Sequence, residues 1–526
     1  MAEQNQALAK NVFLVIDVGT QSVRASFIDT EGNINEIVKT PIEAYYSEQP
    51  GYAEQDPDYF WERLCHTTRL LFKNSRIPVK NILGMSLTTQ RGTLVNLDKE
   101  GKPLRPAIIW LDQRKARVDG WPRGVTKAAL KLAGVYESVT YAMKESEANW
   151  IRQNQPEIWK KTDKFLLLSG FLTYRLSGKF VDSTGNMVGF LPFDYKKHRY
   201  SKPHEINYRM FPVEREKLAD LVFPGDKIGE VTPEASGQTG IPAGLPIIAA
   251  ASDKACEVLG SGAGSPEIGC LSYGTTATIQ TVNDHYLEVV RMFPAYPSAI
   301  PHFFNTEVMI YRGFWMIKWF KNEFGYREVE RAKELDVEPE ALFDEMITHI
   351  PPGSMGLTLQ PYWSPGVKLP GIEAKGAVIG FGDVHTRAHL YRSILEGIAY
   401  ALKDGALRTE RKTGVKMKKI RVSGGGSQSK NALQLTADIF NMKVEKPHTF
   451  ETSALGAAVL AAVGLKVYPD FNTAIEKMCR VGETYEPIPE NVKIYDQLFN
   501  RVYRRMYRKL RPLYNDIRDI INYPKK

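Results

Sequence analysis

The sequence is poor in cysteine. Its 526 residues hold four, Cys65, Cys256, Cys270 and Cys479, and none forms a C-x-x-C pair. Such spacing indicates neither a disulfide framework nor a thiolate zinc site, and it fits a reducing compartment. The nine histidines are scattered. His385 and His389 stand four apart with no third ligand near them in sequence, so they read as surface or capping residues. No uninterrupted apolar run is long enough to span a bilayer. The opening MAEQNQALAKN has no apolar core of the kind a signal peptide carries, which makes the cytoplasm the default location. Charge of one sign is also scarce over most of the chain. The formal charge is +9, but residues 491–526 hold ten Lys/Arg against three Asp/Glu, so the rest carries only +2. That distribution argues against nucleic acid or a membrane surface as the partner.

What is present is ordinary globular material, 43% hydrophobic and 25% charged, at a length that implies two large domains. The basic tail repeats Tyr495, Leu498, Phe499, Val502, Tyr503, Met506 and Leu510 at helical spacing. It reads as an amphipathic helix packed on the body with its basic face in solvent. The N-terminal stretch predicts strands VFLVIDV, VRASFID and NINEIVKT, the last two joined by the hairpin turn DTEGN. A helix is predicted over 57–74, and strands over 81–89, 106–112 and 245–253. Near residue 265 a second unit begins. EIGCLSYGTTATIQTV (267–282) repeats the opening plan of strand, Gly-Thr turn and strand. Residues 418–441 then read as strand, glycine turn and helix, and SALGAAVLAAVGL (453–465) as a small-residue helix suited to close packing. The pattern predicts a duplicated α/β fold with a cleft between halves. The expected division is 1–262, 263–490 and the tail 491–526.

Three glycine turns and two acids carry the chemistry. Each turn, GTQS, GTTAT and SGGGSQSKN, can be a plain turn, or it can aim backbone N–H groups at phosphate oxygens. The third follows an apolar strand and opens a helix, where an anion is favoured. It is neither a Walker loop nor a G-x-G-x-x-G fingerprint. Asp17 and Asp253 both end apolar strands, where open α/β sheets place their chemistry. Phosphoryl transfer needs a metal, donors around the γ-phosphoryl and a base at the attacking hydroxyl. Asp17 suits a magnesium ion held through water, and Asp253 suits the base across the cleft.

These residues resemble the FGGY carbohydrate kinases, within the larger actin, Hsp70 and sugar-kinase superfamily. The resemblance runs from about residue 12 to about 466. It is carried by DVGTQSVRASFID, QPGYAEQDPDYFW, IIWLDQR, GAVIGFGDVHTRAHLYRSILEGIAYAL, SGGGSQSKNALQLTADIF and ETSALGAAVLA. It implies two ribonuclease-H-like domains flanking an ATP and substrate cleft. It implies that Asp17 holds Mg2+, that Thr20, Gln21 and Arg24 line the β- and γ-phosphates, and that Asp253 is the general base. It further implies that Gly274 and Thr275 face the γ-phosphoryl and that Gly424, Gly425, Gln428 and Asn431 hold the adenine nucleotide. Homodimers are common among such relatives, although no stretch of this chain signals an interface.

The acceptor side departs from the family patterns. Glycerol kinases carry N-Q-R-E-T on one strand and xylulokinases Q-M-H-G, whereas this chain reads TQRGT over Thr89–Thr93. Gln90, Arg91, Trp110 and Tyr141 are the substrate candidates. Gly92 removes a carboxylate and opens room for something longer than glycerol. Thr278 falls where glycerol kinases place an aromatic, Lys254 where they place Gln, and Glu147 where the family's first signature has lysine. The expectation is an ATP-dependent kinase of a small ketose or polyol, xylulose- or ribulose-like, with glycerol as the alternative. A non-catalytic ATP-binding sensor or a chaperone-like protein is the alternative of another class. Asp253 argues against it, since a base at the hydroxyl position is idle unless a hydroxyl is phosphorylated.

Overall fold

A computed structural model describes residues 11–364, 366 and 370–523. Residues 1–10 of the opening, on which the reading of no signal peptide rests, and the last three residues of the tail lie outside the described residues. Strand β1 (Val12–Val18) is buried along its whole length, as an apolar run interrupted only by Asp17 requires of a central strand. It pairs antiparallel with β2 (Ser22–Asp29), which pairs antiparallel with β3 (Ile34–Pro41). On its other side β1 runs parallel to β4 (Ile82–Thr89). The edge is closed by β5 (Lys227–Glu230), antiparallel to β6 (Pro246–Ala249), and β6 runs parallel to β4. Helix α1 (Pro57–Asn74) packs on this sheet. It starts where the Asp56 side chain accepts from the Asp58 N–H and Pro57 takes the first turn.

The second sheet repeats the order. β7 (Ile268–Tyr273) pairs antiparallel with β8 (Ala277–Asn283). A short β9 (Tyr296–Pro297) flanks β10 (Phe304–Ile310), which is antiparallel to β8. β11 (Lys419–Ser423) and β12 (Lys443–Pro447) continue in parallel beyond β7, and β13 (Val481–Tyr485) closes antiparallel. β9 apart, the second sheet matches the first in strand order and direction, which is a duplication in three dimensions.

Helix α2 (Asp253–Gly260) leaves the first sheet after β6. The long α3 (Arg387–Thr413) and α4 (Lys430–Phe440) cover the second sheet. His389 accepts from the backbone N–H of Thr386 at the start of α3, a capping role. The small-residue helix α5 (Thr452–Gly464) belongs to the second half in sequence, yet its alanines pack on Phe13, Val15 and Ile28 of the first sheet and on α2. A methyl group on Gly260 would overlap the Thr452 carbonyl oxygen, and one on Gly456 the Cys256 carbonyl oxygen, so the α2 and α5 backbones meet directly.

The tail continues from α6 (Pro489–Leu498) through a π turn at Phe499–Tyr503 into α7 (Arg504–Ile521). Tyr495, Phe499, Tyr503, Met506 and Tyr514 are buried, the first three against Tyr400. Arg501, Arg504, Arg505, Arg508, Lys509 and Arg511 face solvent.

Two sequence expectations change. The strand predicted over 106–112 shrinks to Ala107–Ile108, because the Asp112 carboxylate turns the chain back to accept from the Ala53 N–H. The strand predicted to end at Asp253 stops at Ala249, and Asp253 instead opens α2. Asp17 and Asp253 therefore come off one sheet, two strands apart, and not from opposite walls of a cleft. Among the described residues no helix is long and apolar enough to cross a membrane.

Candidate active site

Asp17 lies near the C-terminal end of β1 and is buried. Arg24, its partner across the β1–β2 turn, donates to its Oδ2 at 3.0 Å and reaches Glu451 at 3.3 Å. The other carboxylate oxygen, Oδ1, is buried with no hydrogen-bond partner among the described residues. Loss of hydration pushes the Asp17 carboxyl up to about 6, Arg24 pulls it back and Glu451 adds to the rise. Thr20, in the same turn, donates to Gln90 Oε1 at 2.9 Å and accepts from Trp110 Nε1 at 3.0 Å. These two bonds tie the first glycine turn to the acceptor candidates. Gln21 is exposed, and its backbone carbonyl accepts from the Ile42 N–H.

Arg91 follows directly on Gln90. Its guanidinium forms a two-pronged pair with Glu307 of β10, at 3.0 and 3.2 Å, and lies over the Tyr296 ring. Burial alone would lower its pKa, but Glu307 and Asp253 outweigh that and hold it above its ordinary value. Asp253 is half-buried at the start of α2, and its Oδ1 accepts from the Lys254 N–H at 2.7 Å. Lost hydration raises its carboxyl to about 6 against the pull of Arg91 and Lys254, with Asp17 pushing the same way as burial.

The second sheet supplies the other two turns side by side. Gly274 and Thr275 accept through their carbonyls from the Phe314 and Trp315 N–H groups. Gly424 has φ +83°, and a Cβ there would meet the Tyr273 backbone at 3.0 Å. Only glycine brings these two turns together. Gly425 and Gln428 are exposed on a short 3-10 turn after β11, and Ser429, not a glycine, caps α4. Asn431 is tied to Asp344 through its side chain and backbone. The Tyr141 hydroxyl is engaged with Glu145 and lies beside Tyr311, which in turn neighbours Glu307, the partner of Arg91.

Among the described residues no group of three or more His, Cys, Asp or Glu side chains could hold a metal ion. A hydrated divalent cation needs only one or two carboxylates, because it keeps most of its waters. The orphaned Oδ1 of Asp17 fits that role.

Two family models match the chain. The N-terminal domain of the FGGY family of carbohydrate kinases matches residues 12–260, and the C-terminal domain of that family matches residues 269–465. The chain belongs to the FGGY family of carbohydrate kinases. The uncharacterised sugar kinase YgcE of Escherichia coli (strain K12) is 30% identical over 499 residues, 94% of this chain and 93% of that one. A xylulose kinase of Staphylococcus epidermidis is 28% identical over 528 residues, 98% and 100% of the two chains. A ligand-bound xylulose kinase structure from Lactobacillus acidophilus superposes with a TM-score of 0.77 at 20% identity, covering 98% and 99%. The fold of this FGGY kinase is α/β with two actin-like ATPase domains.

Sequence reasoning missed four groups in the kinase. Glu307 pairs with Arg91 from the other sheet, and no local pattern marks it. Glu451 had a signal, since it opens the quoted segment ETSALGAAVLA. Lys254 is marked in sequence only by its departure from the glycerol kinase pattern, and Glu257 carries no local signal.

Glu147 has one oxygen buried without a partner among the described residues. Loss of hydration, with Asp112 and Glu145 adding to it, raises its carboxyl to about 8 against its own backbone N–H and Arg114. A carboxyl whose folded pKa is raised costs stability as pH climbs from the unfolded value toward the folded one. Glu147→Gln is therefore expected to raise the melting temperature by several degrees at pH 8.5 and by little at pH 5. Thermal unfolding at the two pH values checks this, and an equal or opposite shift would contradict it.

Proposed function

We propose that this kinase transfers the γ-phosphoryl group of ATP to a hydroxyl of a small uncharged ketose or polyol, with a five-carbon ketose such as xylulose or ribulose preferred. The observation that carries the reading is Asp253, half-buried beside Arg91 and next to Lys254, whose ammonium adjoins the Gly274 turn. The substrate hydroxyl would give its proton to Asp253. Its oxygen forms a bond to the γ-phosphorus as the bond to the β–γ bridging oxygen breaks, and ADP leaves with that electron pair. Thr20, Gln21 and Arg24 would face the β- and γ-phosphates, and Gly274 and Thr275 the γ-phosphoryl. Gly424, Gly425, Gln428 and Asn431 would hold the adenine nucleotide. Asp17 would hold Mg2+ through water, and the ion when bound neutralises phosphate charge. Residues 1–262 and 263–490 would form the two halves, with 491–526 as a packed tail.

Gln90, Arg91, Trp110 and Tyr141 would form the acceptor side. The Arg91 charge is already neutralised by Glu307, which suits a substrate bearing hydroxyls better than a sugar acid. Gly92 carries no carboxylate where glycerol kinases carry one, which supports a substrate longer than glycerol and puts glycerol second.

The test is ADP release with MgATP over xylulose, ribulose, erythritol and glycerol. Turnover on a ketose supports the reading, turnover on glycerol alone moves it to the second substrate, and none on any of the four overturns it. The same assay carries a pH prediction. A general base works ionised, so kcat/KM should fall as pH drops through about 6, where Asp253 takes up its proton. A limb centred near 4, the value of an ordinary aspartate, would count against Asp253 in this environment.

A further inference from the structure

We infer that Lys254 is a further catalytic residue, its ammonium bearing on the phosphoryl group in transit; the inference rests on the kinase reading above. Lys254 follows the base directly and lies in the first turn of α2. Its Nζ donates to Glu257 Oε2 at 2.7 Å and to Ser272 Oγ at 2.5 Å. Glu257 in turn accepts from Ser423 Oγ at 2.7 Å. Ser272 stands two residues before Gly274, and Ser423 immediately before Gly424. A Cβ built on Gly274 would lie 4.0 Å from Nζ. One ammonium group is thus held at the point where the base and both glycine turns of the second sheet converge.

The hydrogen-bond count leaves room for an anion. A lysine ammonium has three donors, and two are taken by Glu257 and Ser272. The side chain is 19% exposed, so the third is not sealed off. Burial would lower the Lys254 pKa, but Glu257 and Asp253 outweigh it, and the group stays charged. Glu257 is held below the usual carboxylate range because Lys254 and the Ser423 and Ser272 hydroxyls outweigh its burial. The pair is therefore ionised and fixed. A fixed cation beside the site of developing charge stabilises a transition state without reorganising when the reaction occurs. An uncharged amide at this position could hydrogen-bond but could not offset phosphoryl charge.

The competing role is a strut, in which Lys254 only pins α2 to β7. Lys254→Gln and Lys254→Met separate the two. Gln keeps donors for Glu257 and Ser272 without the charge, so it carries the test if the Met variant fails to fold. The readouts are calorimetric affinities for ADP and for a non-hydrolysable β,γ-imido ATP analogue, and steady-state kinetics on the substrate found by the panel. The expected result is ADP affinity unchanged, analogue affinity lower by about tenfold, and kcat lower by roughly 10²-fold with the sugar KM little moved. The acidic limb should also move to higher pH, since the Lys254 charge holds Asp253 down. Equal loss of ADP and analogue affinity with a lower melting temperature would reduce Lys254 to a strut. An unchanged kcat and unchanged nucleotide preference would remove any role in transfer. A parent protein that binds neither nucleotide would sink the kinase reading itself, a result distinct from either.

Discussion

Asp253→Asn is expected to lower sugar-dependent ADP release by roughly 10²–10⁴-fold, the usual contribution of a positioned general base, while nucleotide affinity and melting temperature stay at parental values. The substitution is close to isosteric. Asn Oδ1 keeps the bond that Asp253 now accepts from the Lys254 N–H at 2.7 Å. What disappears is the site for the proton of the attacking hydroxyl. The surroundings explain why an aspartate works here near neutral pH. Lost hydration raises its carboxyl to about 6, closer to a hydroxyl's needs than an ordinary aspartate, while Arg91 and Lys254 keep it ionised at pH 7. Steady-state rates of both proteins on the substrate identified by the panel provide the measurement. A variant retaining more than about a tenth of the parental rate would remove Asp253 from the role of base.

Substitution at Gly456 is expected to have the other large effect, this time on folding. Helices α2 and α5 meet backbone to backbone at Gly260 and Gly456, and a Cβ at Gly456 would overlap the Cys256 carbonyl oxygen. The clashing atom is main chain inside a helix, so no side-chain rotation relieves it. Gly456→Ala should destabilise by about 1–3 kcal/mol, as overpacking does in close-packed cores, and Gly456→Leu should fail to give folded protein. Because α2 begins with Asp253, the Ala variant should also lose kcat. Gly237→Ala is the control. It is also helical, nothing lies within 4 Å of its Cβ position, and it should melt like the parent or slightly above it. If the two alanine variants melt alike, the crossing tolerates separation and the close-contact argument fails.

The parts of this kinase that were legible in its sequence are those whose cause is local. An apolar run such as VFLVI, closed by Asp17 and a glycine turn, reads as a strand covered on both faces, and β1 is buried throughout. The helix over 57–74 follows from its helical pattern, and α1 occupies that span, with Asp56 as cap and Pro57 in the first turn. Glycines in GTTAT and SGGGSQSKN mark turns because they allow backbone approaches that side chains block, as Gly424 does against Tyr273. The 106–112 strand misled because its apolar pattern was right while the Asp112 carboxylate, bonded to Ala53 far back in the chain, ended the strand early.

The sequence by itself determined two β-rich units with matching openings, the glycine turns, and the apolar runs that lead into Asp17 and Asp253, because each depends on neighbours within a few residues. Only the tertiary structure decided what those groups face. Arg91 finds its carboxylate in Glu307, 216 residues away. Lys254 meets Ser272 across the boundary between the sheets, and α5 crosses from the second half to line the first. Charges and close-packed surfaces pair by proximity in the folded chain, and proximity over such separations is set by how α2, α5 and the two sheets are brought together, which no local pattern records.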